Sequence, residues 1–425
     1  MSEGELGLWN EGKLVAVLTS DGLGGAALAY TPESKSWGSF LSVRLPVREE
    51  PYPWVQCRDF LDGLLPEDSV RSQLAARERI PVDNTFLMLK AYGRDCAGAV
   101  QVLPLSQQPE SFPQDIKWLD DDELHQAITK LPSAPLGTSI DQNVRVSLGG
   151  LQGKLLVVRR GEKFGVPLDG TPTTHILKPA LLNEDGSEVW PSIAQLELFG
   201  LRLVEASVTA ARRSRQIAAR AEMLTIQGRN AILVERFDRR VDEGRVIRIH
   251  QEDMCQALGS RNKYQKTGES LPSLQAIAEV LWNNSASPVV ERNLLASYLI
   301  ANLTIGNCDM HARNIGILID NHAVQLAPAY DVVPTATWEQ HDTELSLHVG
   351  GELLLEDLTR GQIIDELISW GMPPKLASTN MDRVLNSLRK ELPGVVESGK
   401  EQGWHTDEID LAVRGINKRI VRFSE

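Results

Sequence analysis

Two carboxylates and an amide between residues 309 and 331 have the types and spacing that phosphoryl transfer requires. Asp309 and Asn314 enclose four residues, and Asp331 follows Tyr330 after a short apolar stretch. One carboxylate can orient an attacking hydroxyl, while an amide oxygen and a second carboxylate can hold metal ions against phosphates. Alone, Asp309 is more typical of a helix cap or turn residue, and Asp331 of a solvated loop carboxylate. Their joint order and spacing favour catalysis.

His311 lies inside the same segment, and two interpretations of it differ in chemistry. A histidine can ligate a metal, but no second histidine stands at ligand spacing from it. The sequence therefore favours a hydrogen-bonding residue of the loop, placed beside the site.

A glycine-rich segment from Ser147 to Lys154 is the candidate phosphate loop. Its glycines are Gly149, Gly150 and Gly153, and Leu151 and Gln152 lie between them. Glycines let backbone N–H groups approach phosphate oxygens, and Lys154 adds a positive charge. The segment is not a Walker A sequence, and a plain hairpin turn is the alternative.

Lys178 closes a short apolar strand, from which an ammonium can reach the phosphates of a nucleotide. Such a lysine needs a carboxylate partner on the next helix, and Glu197 is the best candidate, with Glu205 as the alternative. Either acid is also explained as a solvated helix-face charge. Residues 231–234 predict a buried strand that becomes charged at Glu235, and its edge can bind adenine.

The pattern along the chain predicts an α+β fold with two lobes. Strands are expected at 13–18, 41–45, 144–146 and 154–158, helices at 54–65, 69–77 and 120–128, and mainly helices after residue 271. The predicted units are an N-terminal module (1–105), a connector (106–143), a nucleotide-binding lobe with its hinge (144–270) and an all-helical C-lobe (271–425).

Composition narrows the class of protein. The chain has 425 residues, 42% of them hydrophobic, and a net charge of −13, which argues against nucleic-acid binding over the whole surface. Its four cysteines form no metal or disulfide pattern. No signal peptide or apolar span is visible, so we expect a soluble cytoplasmic protein without membrane contact.

These motifs together resemble the HipA-like kinases of bacterial toxin–antitoxin modules. The resemblance rests on 147–154, 175–178, 234–239, 250–256, 309–314 and Tyr330-Asp331, and it includes the strand module with 60–65 before Pro66. Glycine stands at 149 and 153 and arginine at 313, where members of the family commonly have other residues.

The resemblance implies a bilobal kinase that uses ATP and Mg²⁺ to phosphorylate a protein serine, in the best-known members that of an aminoacyl-tRNA synthetase. It assigns the catalytic base to Asp309, metal binding to Asn314 and Asp331, and autophosphorylation to Ser147. The implied nucleotide site comprises Gly149, Gly150, Leu151, Gln152, Gly153, Lys154, Lys178, Glu235, Phe237, His311, Asn314 and Asp331. It also implies a small helix-turn-helix antitoxin and operator DNA bound through that complex.

Two other functions fit the same residues. A catalytically silent member would act only as a co-repressor, and a small-molecule kinase would use the same ATP machinery on a metabolite. A basic cluster at Arg212, Arg213, Arg215 and Arg220 suggests DNA contact, or a solvated helix face. The segment 250–256 is interpreted as a buttress for the catalytic loop rather than a catalytic element.

Overall fold

The computed structural model describes residues 4–37, 40–109, 115–141, 144–145, 147–148, 153–208, 215–242, 245–320, 323–341 and 343–425. Four residues of the predicted phosphate loop, Gly149 to Gln152, lie outside these ranges, as do Arg212 and Arg213. Within the ranges the fold is α+β, as the sequence predicts.

The N-terminal module is an antiparallel sheet in the order β3-β2-β1-β4, with helices packed beside it. Its elements are β1 (Glu5–Asn10), β2 (Lys13–Ser20), β3 (Ala26–Tyr30), α1 (Pro32–Trp37), α2 (Trp54–Gly63), α3 (Asp68–Glu78), α4 (Thr85–Tyr92) and β4 (Gln101–Pro104). The strand predicted at 41–45 is wrong. Those residues form a turn, because the Tyr30 hydroxyl accepts from Leu41 N at 3.0 Å and donates to Leu45 O at 2.5 Å.

A second antiparallel sheet, in the order β5-β7-β6-β8-β10-β9, carries the predicted nucleotide-binding elements. Its elements and their helices are β5 (Asp115–Leu119), α5 (Asp121–Thr129), β6 (Leu155–Arg160), β7 (Lys163–Leu168), β8 (His175–Pro179), α6 (Ile193–Ser207), β9 (Ala221–Ile226) and β10 (Arg229–Glu235). The predicted connector thus contributes β5 and α5. Val144 and Arg145 form no strand, because Val144 is buried in the core and Arg145 pairs with Glu78 at 2.7 Å.

Apolar side chains of the two sheets share one hydrophobic core. Leu6 and Leu8 of β1 are buried in the same cluster as Leu155 and Val157 of β6. The N-terminal module is therefore packed onto the second sheet, and the domain boundaries stay predictions.

The remainder of the chain is mainly helical. Its helices are α7 (Met254–Leu258), α8 (Leu274–Asn284), α9 (Pro288–Ile305), α10 (Arg360–Ser369), α11 (Pro374–Glu401) and α12 (Asp407–Arg422). Its strands, with those of the hinge, are β11 (Arg239–Asp242), β12 (Arg245–Arg248), β13 (His250–Asp253), β14 (Gly316–Asp320), β15 (Ala323–Leu326), β16 (Glu344–Val349) and β17 (Glu352–Leu354). The description of this lobe as all-helical therefore leaves out β13-β14-β15 and the β16–β17 hairpin.

Helix α9 brings the chain to the catalytic loop. Pro288 begins it, a position where the missing N–H costs nothing, and Gly306 ends it with φ 89°. Arg419 of α12 donates to the last carbonyls, of Thr304 and Ile305, each at 2.9 Å. Residue 307 onward is therefore fixed by a capped helix end.

Two sequence expectations concern cysteines and membranes. Cys57, Cys96, Cys255 and Cys308 are buried, and they form no disulfide within the described part of the chain. Among the described residues, no helix has both the length and the apolar character that crossing a bilayer requires.

Candidate active site

A cleft of about 530 Å³ lies between the second sheet and the helical lobe. Its walls bring together nine of the residues that the sequence singled out: Lys154, Lys178, Glu197, Glu235, Phe237, Asp309, His311, Asn314 and Asp331. Such a concave site with convergent polar groups is the expected place for a ligand.

Lys178 is the centre of a buried charge cluster. Its Nζ donates to Glu197 Oε1 at 2.8 Å and to Asp331 Oδ1 at 2.7 Å. Burial alone would lower the pKa of Lys178, but the two carboxylates outweigh burial and raise it. The lysine is therefore held as an ammonium. Glu205, the alternative partner, instead accepts from Ala218 N at 2.7 Å.

The two acids of this cluster differ in their electrostatics. Burial raises the pKa of Glu197, which is 1% exposed and has no hydrogen-bond partner for Oε2 among the described residues. Burial would also raise the pKa of Asp331, but the Lys178 ammonium lowers it to about 2. Asp331 is thus a carboxylate over the whole neutral range.

The backbone at Asp331 has a left-handed conformation rather than an extended one. Its φ is 56°, in the left-handed region that residues other than glycine seldom adopt. Helix α6 approaches this segment so closely that a Cβ on Gly200 would collide with the Val332 carbonyl. Glycine at 200 therefore lets α6 carry Glu197 to within reach of Lys178 and Asp331.

The catalytic-loop residues are fixed mainly by their own chain. Asp309 N donates to Asn307 Oδ1 at 3.1 Å, and Asn314 Nδ2 donates to Asp309 O at 2.9 Å. Tyr330 donates its hydroxyl to Arg313 O at 2.6 Å, which ties the loop to the residue before Asp331. Asp309, Asn314 and Asp331 thus face one cleft from a short, cross-linked stretch.

His311 is a buried member of this loop. It is 7% exposed, and the edge of its ring meets Tyr264 with centroids 5.4 Å apart. Burial lowers the pKa of His311, opposed by the Asp309 carboxylate. Among the described residues no group of acids, histidines and cysteines could by itself hold a metal ion.

The described ends of the phosphate loop lie against different parts of the cleft. Lys154 is 7% exposed and lines the cleft, and burial together with the Lys178 ammonium lowers the pKa of Lys154 to about 8. Ser147 is fully buried: its Oγ donates to Leu64 O at 2.6 Å and its N donates to Asp95 O at 2.8 Å. The N-terminal module therefore holds the start of the loop.

The end of the cleft at β10 is apolar and aromatic. Ile176 and Val234 line it, and the rings of Phe237 and Tyr330 lie 5.5 Å apart. Glu235 N donates to Arg220 O at 2.8 Å, so this N–H is already used within the protein.

Segment 250–256 links the catalytic loop to the N-terminal module. Strand β13 pairs with β14, which follows the loop, and Met254 N donates to Ile315 O at 2.9 Å. On its other side Glu252 accepts from Ser42 Oγ and Val43 N, each at 3.0 Å. These contacts are those of a buttress.

Sequence reasoning missed Glu67, which lines the cleft, and Ser346, which lies beside it. Glu67 reaches from the N-terminal module to Lys263 Nζ at 3.3 Å and Arg313 Nη1 at 3.2 Å. Ser346 of β16 contacts Asp309. Glu67 has no local signal, but 344–349 alternate polar and apolar residues before Gly350-Gly351, which is a hairpin pattern.

The predicted basic cluster is not one exposed face. Arg215 forms a bidentate pair with the buried Glu291, at 2.7 and 2.8 Å, and donates to Leu326 O. Arg220 is exposed and lies 3.8 Å from Glu235. Helix α6 ends at Ser207, so neither arginine lies on a solvated helix face. Arg215 is thus a structural residue, which does not fit its use as a DNA contact.

Two family models match separate parts of this chain. Residues 6–103 match the family model described as the HipA N-terminal domain, and residues 146–392 match the HipA-like C-terminal domain. The Y4mE protein of Sinorhizobium fredii is 34% identical over 363 residues, covering 83% of this chain and 82% of that protein.

Two further comparisons involve Shewanella oneidensis. Its serine/threonine-protein kinase toxin HipA is 27% identical over 383 residues, covering 87% of this chain and 84% of the relative. The solved complex of HipA, HipB and operator DNA from strain MR-1 contains a chain that aligns with a TM-score of 0.80 at 23% identity, over 99% of this chain and 96% of that one. That likeness shows a shared fold. The match of the family model to more than half of the sequence shows that this chain belongs to the HipA-like kinase family.

Proposed function

We propose that the chain is an ATP- and Mg²⁺-dependent protein kinase that phosphorylates a serine or threonine hydroxyl of another protein. One observation carries the proposal: Lys178 joins Glu197 and Asp331 on the wall of a cleft that also presents Asp309 and Asn314. A fixed ammonium, a metal-binding acid–amide pair and a further carboxylate are what phosphoryl transfer needs.

In this proposal each group has a distinct role. Asp309 orients the acceptor hydroxyl and accepts its proton as the new oxygen–phosphorus bond forms and the bond to ADP breaks. Lys154 and Lys178 neutralise phosphate charge. The aromatic end of the cleft, with the backbone of Glu235 and Phe237, binds adenine.

The residues present suit Mg²⁺. An amide oxygen of Asn314 and the carboxylate of Asp331 are hard oxygen ligands, and Mg²⁺ in kinases is held by one or two such groups together with substrate phosphates and water. Glu197 Oε2 has no partner within the described ranges, so the cluster around Lys178 leaves hydrogen-bonding capacity unused there. When bound, the metal would offset charge on the phosphates.

Ser147 extends the proposal to autophosphorylation. Its hydroxyl is fully buried against Leu64 O, so a phosphate dianion there would face desolvation and a repelling carbonyl. A phosphorylated Ser147 must leave this pocket and take the phosphate loop with it, which would silence the enzyme.

We further propose that the chain is the toxin of a toxin–antitoxin pair. The S. oneidensis relative is named as a kinase toxin, and the chain of similar fold is solved with HipB and operator DNA. By analogy, the partner is a small DNA-binding antitoxin, and operator DNA is bound through that complex. An aminoacyl-tRNA synthetase is the proposed class of substrate from the family resemblance.

The test is the intact mass of the purified chain after incubation with ATP and Mg²⁺. The parent is expected to gain phosphate on Ser147, Asp309→Asn to gain none, and Ser147→Ala to gain none while still phosphorylating an added protein target. Asp185→Asn, an exposed acid, is the matched control and should behave as the parent.

The opposite results are equally specific. Phosphate on Asp309→Asn at the rate of the parent would remove Asp309 from the mechanism. Nucleotide binding without any phosphoprotein would favour a metabolite acceptor or a silent co-repressor.

A further inference from the structure

The carboxylate of Asp309 has neighbours that lie outside its own loop. Ser346 on β16 has a single hydroxyl hydrogen, which it shares between Cys308 O at 2.9 Å and Asp309 Oδ1 at 3.2 Å. From another direction, Tyr264 lines the same cleft, where burial raises the pKa of Tyr264 and the nearby Asp309 carboxylate adds to that effect. Two hydroxyl-bearing side chains from distant parts of the sequence thus lie beside one acid.

Tyr264 and Ser346 are linked through Gln265, the residue that follows Tyr264. Gln265 N donates to Ser346 O at 2.9 Å, and His348 N donates to Gln265 Oε1 at 3.0 Å. Segment 263–265 is therefore hydrogen-bonded to β16 through Gln265.

Segment 263–265 and β16 are also hydrogen-bonded to the catalytic loop. Ala312 N donates to Lys263 O at 3.0 Å, and Ser346 N donates to Cys308 O at 3.0 Å. Segment 263–265 and β16 consequently enclose the loop from both flanks.

We propose that Ser346 and Tyr264 are positioning residues that fix the orientation of the Asp309 carboxylate for phosphoryl transfer; this rests on the role of Asp309 in the proposed function. A free aspartate side chain rotates about two bonds, and only some orientations let its oxygen face an acceptor hydroxyl. Hydrogen bonds to a charged oxygen are stronger than neutral ones, so hydroxyls beside the carboxylate restrict that rotation.

The two positions differ in what they offer to an incoming substrate. Ser346 is 8% exposed, and its hydroxyl is committed to the protein. Tyr264 is 42% exposed on the wall of the cleft, with its ring edge against His311. An acceptor hydroxyl approaching Asp309 therefore passes Tyr264, whereas Ser346 acts from behind the acid.

The experiment compares Ser346→Ala, Tyr264→Phe and the double variant with the parent. Measurements are kcat and KM for ATP in phosphoryl transfer, Kd for a fluorescent ATP analogue, and thermal unfolding. Each single change is expected to lower kcat about tenfold, the effect of one lost charge-assisted hydrogen bond, with KM, Kd and the unfolding temperature unchanged. The double variant should lose less than the product, because either loss alone frees the carboxylate.

Two controls remove hydroxyls elsewhere. Ser260 is 8% exposed, as Ser346 is, and donates to Asn262 O at 2.9 Å; Tyr52, which is buried, donates to Pro46 O at 2.5 Å. Ser260→Ala and Tyr52→Phe should keep the kcat of the parent. Tyr264→Phe retains its ring on a partly exposed surface, so a fully folded variant is available even if Ser346→Ala unfolds.

Values of kcat within twofold of the parent, or a kcat that falls only in step with stability, would overturn the proposal. A parent without transferase activity would refute the proposed function instead, and crystal structures then decide this one. The Asp309 carboxylate is expected to leave its parental rotamer in Ser346→Ala/Tyr264→Phe. An unchanged rotamer in the double variant rejects the positioning role.

Discussion

Two buried charge clusters lie within this molecule, and they differ in how completely their acids are satisfied. The first, which we call the hinge cluster, comprises Asp95, Arg236, Asp238, Arg239 and Arg248. In it, Asp95 Oδ1 accepts from Arg239 and Arg248, each at 3.0 Å, while Oδ2 accepts from Thr173. Asp238 is paired through both oxygens as well.

The second, the Lys178 cluster, comprises Lys154, Lys178, Glu197 and Asp331. It leaves Glu197 Oε2 without a partner among the described residues, although Glu197 is 1% exposed. Burying such an oxygen costs free energy unless something pairs with it. The acids of the hinge cluster are fully paired and stabilise the fold, although Arg239 Nε and Arg248 Nε have no partner among the described residues. An acid oxygen left without a partner in a cleft has capacity reserved for a ligand.

The variant Asp331→Asn is the strongest test of whether the Lys178 cluster serves a ligand rather than the fold. We expect phosphoryl transfer to fall by about a thousandfold or more, the scale of removing one essential charge at a transferring phosphate. The Lys178–Glu197 pair at 2.8 Å remains, so stability should change little. Transfer is followed by intact mass and unfolding by urea. A large loss of stability would make this cluster structural too.

Asp95→Asn tests the other side of the comparison. Three arginines would lose a shared acid, and removing one partner of a buried pair costs about 3–5 kcal/mol. Burial would raise the pKa of Asp95, but the arginines outweigh it and hold it well below its usual value. That stabilisation is present above the unfolded pKa of about 3.9 and is lost as pH falls further.

Urea unfolding near neutral pH measures this effect, with the exposed Asp242→Asn as control. The turnover of the folded fraction should be unchanged. A specific loss of turnover without loss of stability would contradict the structural role of the hinge cluster.

The sequence predicted one cluster better than the other, for a physical reason. Lys178 closes β8 and Glu197 lies on the next helix, so strand and helix periodicity bring both into view within 19 residues. Asp309 and Asn314 form a local spacing as well. Asp95 and Arg239 are 144 residues apart, and no local pattern records that they meet.

The same contrast between local pattern and tertiary contact explains what the sequence could not predict. Arg236, Asp238 and Arg239 form a charged run after the hinge strand, yet all three are buried because the N-terminal module covers them. Residues 41–45 have the composition of a strand, but Tyr30 and Glu252 hold them as a turn. Tertiary contacts override local preference in both places.

A further buried acid, Glu252, sharpens the comparison because it has hydrogen bonds but no ion pair with a cation among the described residues. Burial raises its pKa to about 8, opposed by donors from Ser42 and Val43. Between the unfolded pKa, about 4.3, and about 8, the folded chain retains a proton that the unfolded chain releases. Stability attributable to this group therefore falls as pH rises through that window.

The measurement is the free energy of unfolding of the parent and Glu252→Gln from pH 5 to 8. The parent should lose stability relative to the variant by up to about 1.4 kcal/mol per pH unit. A difference that does not vary with pH would show that Glu252 is ionised throughout.

Glu67 belongs to neither charge cluster, and we expect its replacement to have the smallest effect on stability and turnover. It belongs to the N-terminal module, yet its carboxylate bridges Lys263 and Arg313 beside the catalytic loop. Burial would raise the pKa of Glu67, but Arg313 and Lys263 lower it. Glu67→Gln keeps the size and removes the charge, so the loop should lose about 1 kcal/mol of support, the scale of a partly exposed pair, and kcat about fivefold.

Glu78→Gln is the matched control, because Glu78 belongs to the same module and pairs with Arg145 at 2.7 Å away from the cleft. Steady-state turnover and thermal unfolding separate the outcomes. If both variants lower stability equally and neither changes kcat, Glu67 only fastens the module to the lobe. If only Glu67→Gln lowers kcat, the N-terminal module contributes directly to the active site. The pairs of Glu67 with Lys263 and Arg313 would then support both the fold and catalysis.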